Sequence, residues 1–214
     1  MRERVRPLPV ESRPLESLAG AVLAQSVRSE RDQPPFDRVT MDGIAFASRA
    51  WREGQRRFRI AGMQAAGQPP LALADTADCL EAMTGAVLPH GCDCVVPVER
   101  LRVEDGFAVV DDDVPVEPYL NVHTRGLDAR EGDLLLAPGT GLGAPELAVL
   151  ASAGLPRADV RIEPRILIAA TGDELVAPDQ PIAAWQVRRS NSYALRGALN
   201  RCVVNKTASS FSLR

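Results

Sequence analysis

Four short stretches of this chain set a carboxylate or hydroxyl beside a glycine: Thr40-Met-Asp-Gly43, Thr84-Gly-Ala86, Gly126-Leu-Asp128 and Thr171-Gly-Asp-Glu174. Carboxylates and hydroxyls are hard oxygen donors, suited to holding divalent cations or moving protons. Taken singly, each stretch reads as a turn, because Gly and Asp favour turns for steric reasons. The last has the most informative context. Ile166 to Ala170 is an uninterrupted apolar run, which predicts a parallel strand buried on both faces. Asp173 and Glu174 then stand at the carboxyl end of that strand, where open α/β sheets place their ligands.

A second cluster, His90-Gly-Cys-Asp-Cys94, invites a metal reading. Strand alternation would point Cys92 and Cys94 to one face, with His90 nearby. Structural zinc wants four ligands, normally from two separated pairs. Cys79 and His123 are the other candidates, and they form no second pair. The cysteines therefore read as small buried hydrophobes. The acidic run Asp111-Asp112-Asp113 reads as a solvated turn, and Arg188-Arg189 as a solvated helix face.

The elements that must position these residues are short. Leu15, Leu18, Ala19, Val22 and Leu23 recur at helical spacing and predict an amphipathic helix over 12–28, capped by Ser12 with Pro14 in its first turn. Asp32 to Asp37 contains two prolines and reads as stiff and extended, and Asp42-Gly43 reads as a turn. Residues 56–116 read as β structure. Phe58 and Ile60 alternate, Val95 to Val98 is a strand, and Leu101 to Val110 is a hairpin turning at Asp105-Gly106. Beyond residue 121 come a polar segment to Gly132 and a strand over Asp133–Leu136. A helix follows from Pro145 to Gly154, then a strand over Val160–Ile162. Gln186 to Cys202 predicts a helix anchored by Val187, Tyr193, Leu195 and Leu199, with Asn191-Ser192 as a kink or its real start. Val203 to Arg214 is Ser/Thr-rich and unlike the end of a folded domain.

Bulk composition narrows the classes. The chain has 214 residues, 45% hydrophobic and 25% charged, with 17 Pro and 16 Gly, which suits many short elements joined by turns. A net charge of −3 argues against nucleic acid or an anionic membrane as the main partner. No apolar run approaches the roughly 18 residues of a membrane span. The charged start Met1-Arg-Glu-Arg-Val-Arg-Pro7 lacks the apolar core of a secretory signal. Four cysteines in this length do not make a disulfide scaffold, so a reduced cytoplasmic protein is expected.

Order and spacing of the motifs add more than any one of them. Pro35-Phe-Asp-Arg-Val-Thr-Met-Asp-Gly-Ile-Ala45 is followed by Met83-Thr-Gly-Ala-Val-Leu-Pro89 with Val95-Val-Pro-Val-Glu99. Asn121 through Gly126-Leu-Asp128 and then Thr171-Gly-Asp-Glu-Leu175 complete the series, with Gly154 and Ser190-Asn191 also fitting. In these residues the chain resembles the molybdopterin molybdenumtransferase family (MoeA and the gephyrin E domain) over nearly all of 10–200. The resemblance implies an α+β multidomain fold. An elongated linkage domain (1–42 and 121–164) carries an inserted, mostly β domain (43–120). A molybdopterin-binding α/β domain begins at 165 and is truncated at 214.

The resemblance also implies chemistry: insertion of molybdate into adenylated molybdopterin (molybdopterin-AMP), with Mg²⁺-dependent hydrolysis of the adenylate. It assigns Asp42, Thr84, Asp128 and Glu174 to catalysis. Gly43, Gly85, Gly172 and Asp173 are assigned to cofactor binding. Glu174 and Asp42 are the implied Mg²⁺ ligands, Asp42 and Asp128 position, and Thr84 offers a hydroxyl. A homodimer is the implied assembly and a molybdopterin adenylyltransferase a candidate partner; no nucleic acid or membrane partner is expected. Two departures from the pattern stand out. Ile44 replaces the usual Tyr after Met-Asp-Gly, and the family's later α/β segments and final barrel have no counterpart before residue 214. On this reading the chain is incomplete and inactive alone, with apolar faces of 166–170 and 186–202 left uncovered. The alternative is a non-catalytic dimerisation or scaffolding module of the same family.

Overall fold

The computed structural model describes residues 6–202 and 208–212, so the readings made for Met1–Val5, Val203–Thr207 and Leu213–Arg214 lie outside the described residues. The chain makes two compact units. One combines the N-terminal residues through Arg28 with Leu134 onward, and the other is Ser29–Asp133. The expected boundaries at 42/43 and 120/121 fall inside the second unit. In chain order the first unit opens with β1 (Val10–Pro14), β2 (Val22–Leu23) and β3 (Val27–Arg28). The second contains β4 (Arg38–Val39), β5 (Gly43–Phe46), α1 (Ser48–Arg52), β6 (Arg57–Gln64), β7 (Asp78–Ala82), β8 (Cys94–Pro97), β9 (Leu101–Glu104), β10 (Phe107–Val110) and β11 (Val122–His123). The first unit resumes with β12 (Leu134–Leu136), α2 (Ala144–Ser152), β13 (Arg157–Arg161), β14 (Ile166–Ala170), β15 (Leu175–Val176), β16 (Val187–Arg188), α3 (Asn191–Cys202) and β17 (Ala208–Ser212). The described fold is thus mostly β with few helices.

The helix expected over 12–28 does not form. β1 instead pairs antiparallel with β13, from Val10 opposite Arg161 to Pro14 opposite Arg157. Only Leu15–Ser17 make a 3₁₀ turn, and the chain breaks at Gly20, whose φ is +78°. The helical spacing of apolar residues has another cause. Leu18 and Leu23 both reach the core, packing with Val27, Leu142, Leu150 and Val160, whereas Val22 is 42% exposed. A sheet ladder supplied by residues more than a hundred positions away outcompetes a weak local propensity. The helix expected after Pro145 does form as α2. The Gly143 N–H donates to Glu146 Oε2 at 2.9 Å, and the chain turns away at Gly154, φ +71°.

The segment from 166 departs further. β14 pairs parallel with β17, Ile166 opposite Ala208 through Ala170 opposite Ser212, so the tail contributes a strand where none was expected. β14 is not buried on both faces: Ile168 is 7% exposed but Leu167 is 65% exposed. With one paired strand and one helix against it, β14 has cover on one side only. The helix starts at Asn191, the later of the two starts the sequence offered, because Val187–Arg188 pair parallel with Leu175–Val176 as β16 and β15. Arg188 and Arg189 therefore precede the helix rather than lining its face.

In the second unit a six-stranded sheet runs in the order β8-β5-β7-β6-β10-β9. The β9–β10 hairpin turns at Asp105 (φ 53°) and Gly106 (φ +79°), the two left-handed residues a tight hairpin requires. Phe46 and Phe58 stack at 4.3 Å in a core that includes Ile44, Cys79, Cys94 and Val96. A smaller core beneath the motif loops holds Val39, Ala45, Ala86, Leu88, Cys92 and Val95. Gly43 is not in a turn. It opens β5, where a Cβ would lie 2.0 Å from the Val96 carbonyl oxygen, so only glycine allows β5 and β8 to approach. Asp111–Asp113 is the expected solvated turn, with surface ion pairs from Arg100 to Asp111 and Asp113 and from Arg56 to Asp112.

One buried polar side chain organises the loop that follows β6. Gln64 is fully buried; its Oε1 accepts from the Leu71 N–H at 2.6 Å, and its Nε2 donates to the Pro69 and Ala65 carbonyls at 3.2 and 3.3 Å. The Gln64 carbonyl also accepts from the Met83 N–H at 3.1 Å, just before Thr84. Replacing Gln64 with Leu keeps the backbone bond but removes the side-chain acceptor of the part-buried Leu71 N–H, a loss of about 0.5–1.5 kcal/mol for an ordinary hydrogen bond. Urea unfolding of Gln64→Leu is expected to show that destabilisation, with faster amide exchange at Leu71.

Candidate functional site

Three of the four motifs meet in the second unit, and β4 is where they meet. Val39 is fully buried; its N–H donates to the Ala86 carbonyl and its carbonyl accepts from the Gly85 N–H, both at 2.9 Å. Gly85 takes φ +86° to close this turn. On the other side Val39 stands opposite Val122, and Arg38 opposite His123, in the β4–β11 pair. Thr40 then donates twice to the Asn121 carbonyl, from its N–H at 3.1 Å and its hydroxyl at 2.9 Å. Three stretches remote in sequence are stitched to one two-residue strand.

From this scaffold Asp42 and Thr84 face each other. Asp42 Oδ1 accepts from the Thr84 N–H at 2.7 Å and from its hydroxyl at 2.6 Å. The Thr84 hydroxyl bond, then the backbone bond, hold the Asp42 carboxyl below the usual aspartate range. Its other oxygen has no hydrogen-bond partner among the described residues and is exposed. Asp42 also borders a cavity of about 250 Å³ with Glu81, Met83, Val98 and Leu101.

Asp128 is placed by a separate set of bonds. The Asp128 and Ala129 N–H groups both donate to the Gln33 carbonyl, at 2.8 and 3.2 Å, and Gly126 (φ +70°) donates to Pro34 at 3.0 Å. Asp32 braces the same loop: its carboxylate accepts from the Glu131 N–H at 3.0 Å and Arg125 Nε at 2.6 Å, which lower its pKa in that order. Asp37 accepts from the Arg125 N–H at 2.8 Å. The Asp128 carboxylate itself meets His123 Nε2 at 3.0 Å, and His123 Nδ1 meets Arg38 Nη2 at 3.0 Å. His123 had entered only as a weak zinc candidate; its alternation with Val122 on a strand was the available signal, and its partner Arg38 lies 85 residues away.

The fourth motif belongs to the first unit. Asp173 and Glu174 form the turn between β14 and β15, and the Glu174 carboxylate folds back over Gly172. A Cβ there would lie 2.6 Å from Glu174 Oε2, and φ is +139°. At the carboxyl end of β14 lies a cavity of about 510 Å³ lined by Thr171, Leu175, Arg188, Arg189, Ser190 and Ser192. α3 begins at its wall, with Asn191 and Ser192 among the lining residues, while the Tyr193 and Ala194 N–H groups are taken by the Ser190 carbonyl. Arg188 Nη1 is occupied by the Ala177 and Gln180 carbonyls, but Arg189 Nε is buried without a hydrogen-bond partner among the described residues.

The cysteine cluster does not assemble as a metal site. Cys94 packs in the core with Phe46 and Cys79, Cys92 in the other core with Val39, and His90 is exposed. The two therefore do not share a face. Burial is the main cause pushing Cys79 and Cys92 up to about 12, and it raises Cys94 as well, so all three stay protonated thiols. Among the described residues no group of three or more His, Cys, Asp or Glu is placed to hold a metal ion. No described helix is long and apolar enough to cross a membrane.

Residues 1–154 match the family model described as MoeA N-terminal region (domain I and II). The chain belongs to the MoeA family. A molybdopterin molybdenumtransferase of Synechocystis sp. is 41% identical over 180 residues, covering 84% of this chain and 46% of that protein. One from Synechococcus elongatus is 31% identical over 201 residues, covering 91% and 49%. Two structures of a molybdopterin biosynthesis MoeA protein from Pyrococcus horikoshii superpose with TM-scores of 0.81 and 0.74, at 25% and 27% identity. They cover 96% and 99% of this chain, and 56% and 54% of theirs. The chain thus spans about half the length of the curated relatives it matches.

The lowered pKa of Asp42 sets a sign for pH. Its hydrogen bonds favour the folded carboxylate, so the stabilisation is present above the unfolded-state pKa and is lost as acid takes the pH through the folded value. Thr84→Val removes the hydroxyl bond but keeps the N–H. Carboxyl ¹³C titration is expected to show the Asp42 midpoint rising toward the ordinary aspartate value without reaching it. An unchanged midpoint would mean the Thr84 hydroxyl does not contribute.

Proposed function

We propose that this chain acts in molybdenum cofactor synthesis, in the insertion of molybdate into adenylated molybdopterin with hydrolysis of the adenylate. The observation that carries the reading is the Asp42–Thr84 pair: a carboxylate held by one oxygen, with the other open to a ligand, in a chain of the MoeA family. Hydrolysis adds water across the phosphoanhydride between the pterin phosphate and AMP. The hydroxyl goes to one phosphorus and the proton to the departing phosphate, which leaves as AMP. Both molybdate and the anhydride are anionic and repel bare carboxylates. The hard, exposed oxygen of Asp42 suits Mg²⁺, which takes one or two carboxylates and fills its remaining positions with water and phosphate oxygens. Asp42 and Glu174 are each a proposed ligand, considered separately within its own unit, and a bound Mg²⁺ would neutralise phosphate charge.

The remaining roles belong to the chain itself. Thr84 orients Asp42 and offers its hydroxyl oxygen. Asp128 orients substrate or receives a proton. Gly43, Gly85 and Gly172 let the backbone come close, and Asp173 flanks the ligand beside Glu174. The cavity at the start of α3, with Arg189 and the serines, suits an oxyanion or phosphate. A homodimer is part of the proposal, as is a molybdopterin adenylyltransferase that supplies the substrate. The alternative reading is a non-catalytic dimerisation or scaffolding module of the same family.

A chimera separates the two. Residues 1–180 of this chain would replace the matching half of the Synechocystis relative, and Mg²⁺-dependent AMP release from adenylated molybdopterin would be measured with molybdate present. The enzymatic reading expects release that falls about a hundredfold or more in Asp42→Asn, the range for a lost acid–base or metal-binding group. A folded, dimeric chimera that releases no AMP would leave the scaffolding reading.

A further inference from the structure

We propose that His123 is a positioning residue for Asp128, and that Arg38 locks it in the one tautomer able to do this. The proposal deepens the reading above and rests on its assignment of Asp128 to the site. The three side chains form a line: Arg38 Nη2 to His123 Nδ1 at 3.0 Å, and His123 Nε2 to Asp128 Oδ1 at 3.0 Å. A guanidinium has only donors. At that distance Nδ1 must therefore accept, so it carries no proton. The neutral imidazole then bears its proton on Nε2, where it donates to the Asp128 carboxylate. Arg38 thus decides which ring nitrogen faces Asp128 as a donor, without touching Asp128 in this line.

The backbone makes the line rigid. Arg38 and His123 are directly opposite in the antiparallel β4–β11 pair, which brings their side chains together on one face. The His123 side chain is only 22% exposed, whereas Asp128 is 58% exposed. Asp128 is fixed at its backbone by the Gln33 carbonyl and at its carboxylate by the ring, so neither end is free to swing. One carboxylate oxygen is committed to His123. The other has no partner among the described residues, on a side chain that is mostly exposed, and stays available to a ligand. The arrangement parallels Asp42, where Thr84 commits one oxygen in the same way. In both cases a neutral donor fixes the carboxylate's direction and leaves its charge in place, as a cation paired directly with it would not.

The test uses the full chain, labelled with ¹⁵N and ¹³C. Only two histidines are present, so His90→Gln leaves His123 as the single imidazole signal. Long-range ¹H–¹⁵N correlation, at a pH where the ring is neutral, is expected to show Nε2 protonated and Nδ1 bare. Arg38→Met is expected to shift the ring to a tautomer mixture, and Arg38→Lys, which keeps a donor, to preserve the single form. The Asp128 carboxyl ¹³C signal should move in His123→Leu and return toward its original position in His123→Gln, whose side-chain amide can still donate. A dominant Nδ1-protonated ring in the parent protein would overturn the proposal, as would an Asp128 signal that His123→Gln leaves where His123→Leu put it. If Arg38→Met does not fold, the parent tautomer and the two His123 variants decide. None of these readouts needs turnover. A chimera that releases no AMP would therefore remove the functional reading while the His123 geometry stood or fell separately.

Discussion

The candidate site hangs on Val39. This residue is completely buried, and both its backbone polar groups bond to the Thr84-Gly85-Ala86 turn. Its neighbours along the strand reach the other way, to Val122, His123 and Asn121. A buried backbone donor or acceptor without a partner is costly, so these bonds cannot easily be exchanged for others. Through them the loop bearing Asp42, the turn bearing Thr84 and the segment leading to Asp128 are held to one strand two residues long. Loosening β4 would release all three, though none of the three carboxylate or hydroxyl groups belongs to it.

The same economy governs the carboxylates. Asp42 and Asp128 each commit one oxygen to a neutral partner, a threonine or a histidine, while the other stays exposed. Asp32, by contrast, is consumed by bracing: a backbone N–H and Arg125 take both its oxygens. The distinction between acids that build the loop and acids that face solvent is whether both carboxylate oxygens are engaged or only one. Within the first unit the Glu174 carboxylate is accommodated differently, by the absence of a side chain at Gly172.

How much of this was legible beforehand varies with range. The β9–β10 hairpin and α2 were readable because their determinants are local: two left-handed turn residues, and a proline start with a glycine stop. The motif residues were readable as a set because they recur in order. The supposed helix over 12–28 was misread, since apolar spacing near 3.6 also suits a strand, a 3₁₀ turn and a bend that happen to bury Leu18 and Leu23. Gly43 was found but for the wrong reason, close packing on Val96 rather than a turn. The cysteines at 92 and 94 were assigned to one face because alternation was assumed before β8 begins at Cys94.

By itself the sequence determined the chemistry available: which residues carry carboxylates, hydroxyls and guanidinium groups, where glycine permits a turn, and that the core would be built from short strands. Residue type and local steric preference decide those matters, and they act over a few positions. Tertiary structure alone decided the pairings. Asp42 with Thr84 spans 42 residues and Arg38 with His123 spans 85. Such contacts depend on which strands share a ladder and in what register. Register is set by burying the correct face of every strand at once, a collective condition that no single stretch of sequence encodes.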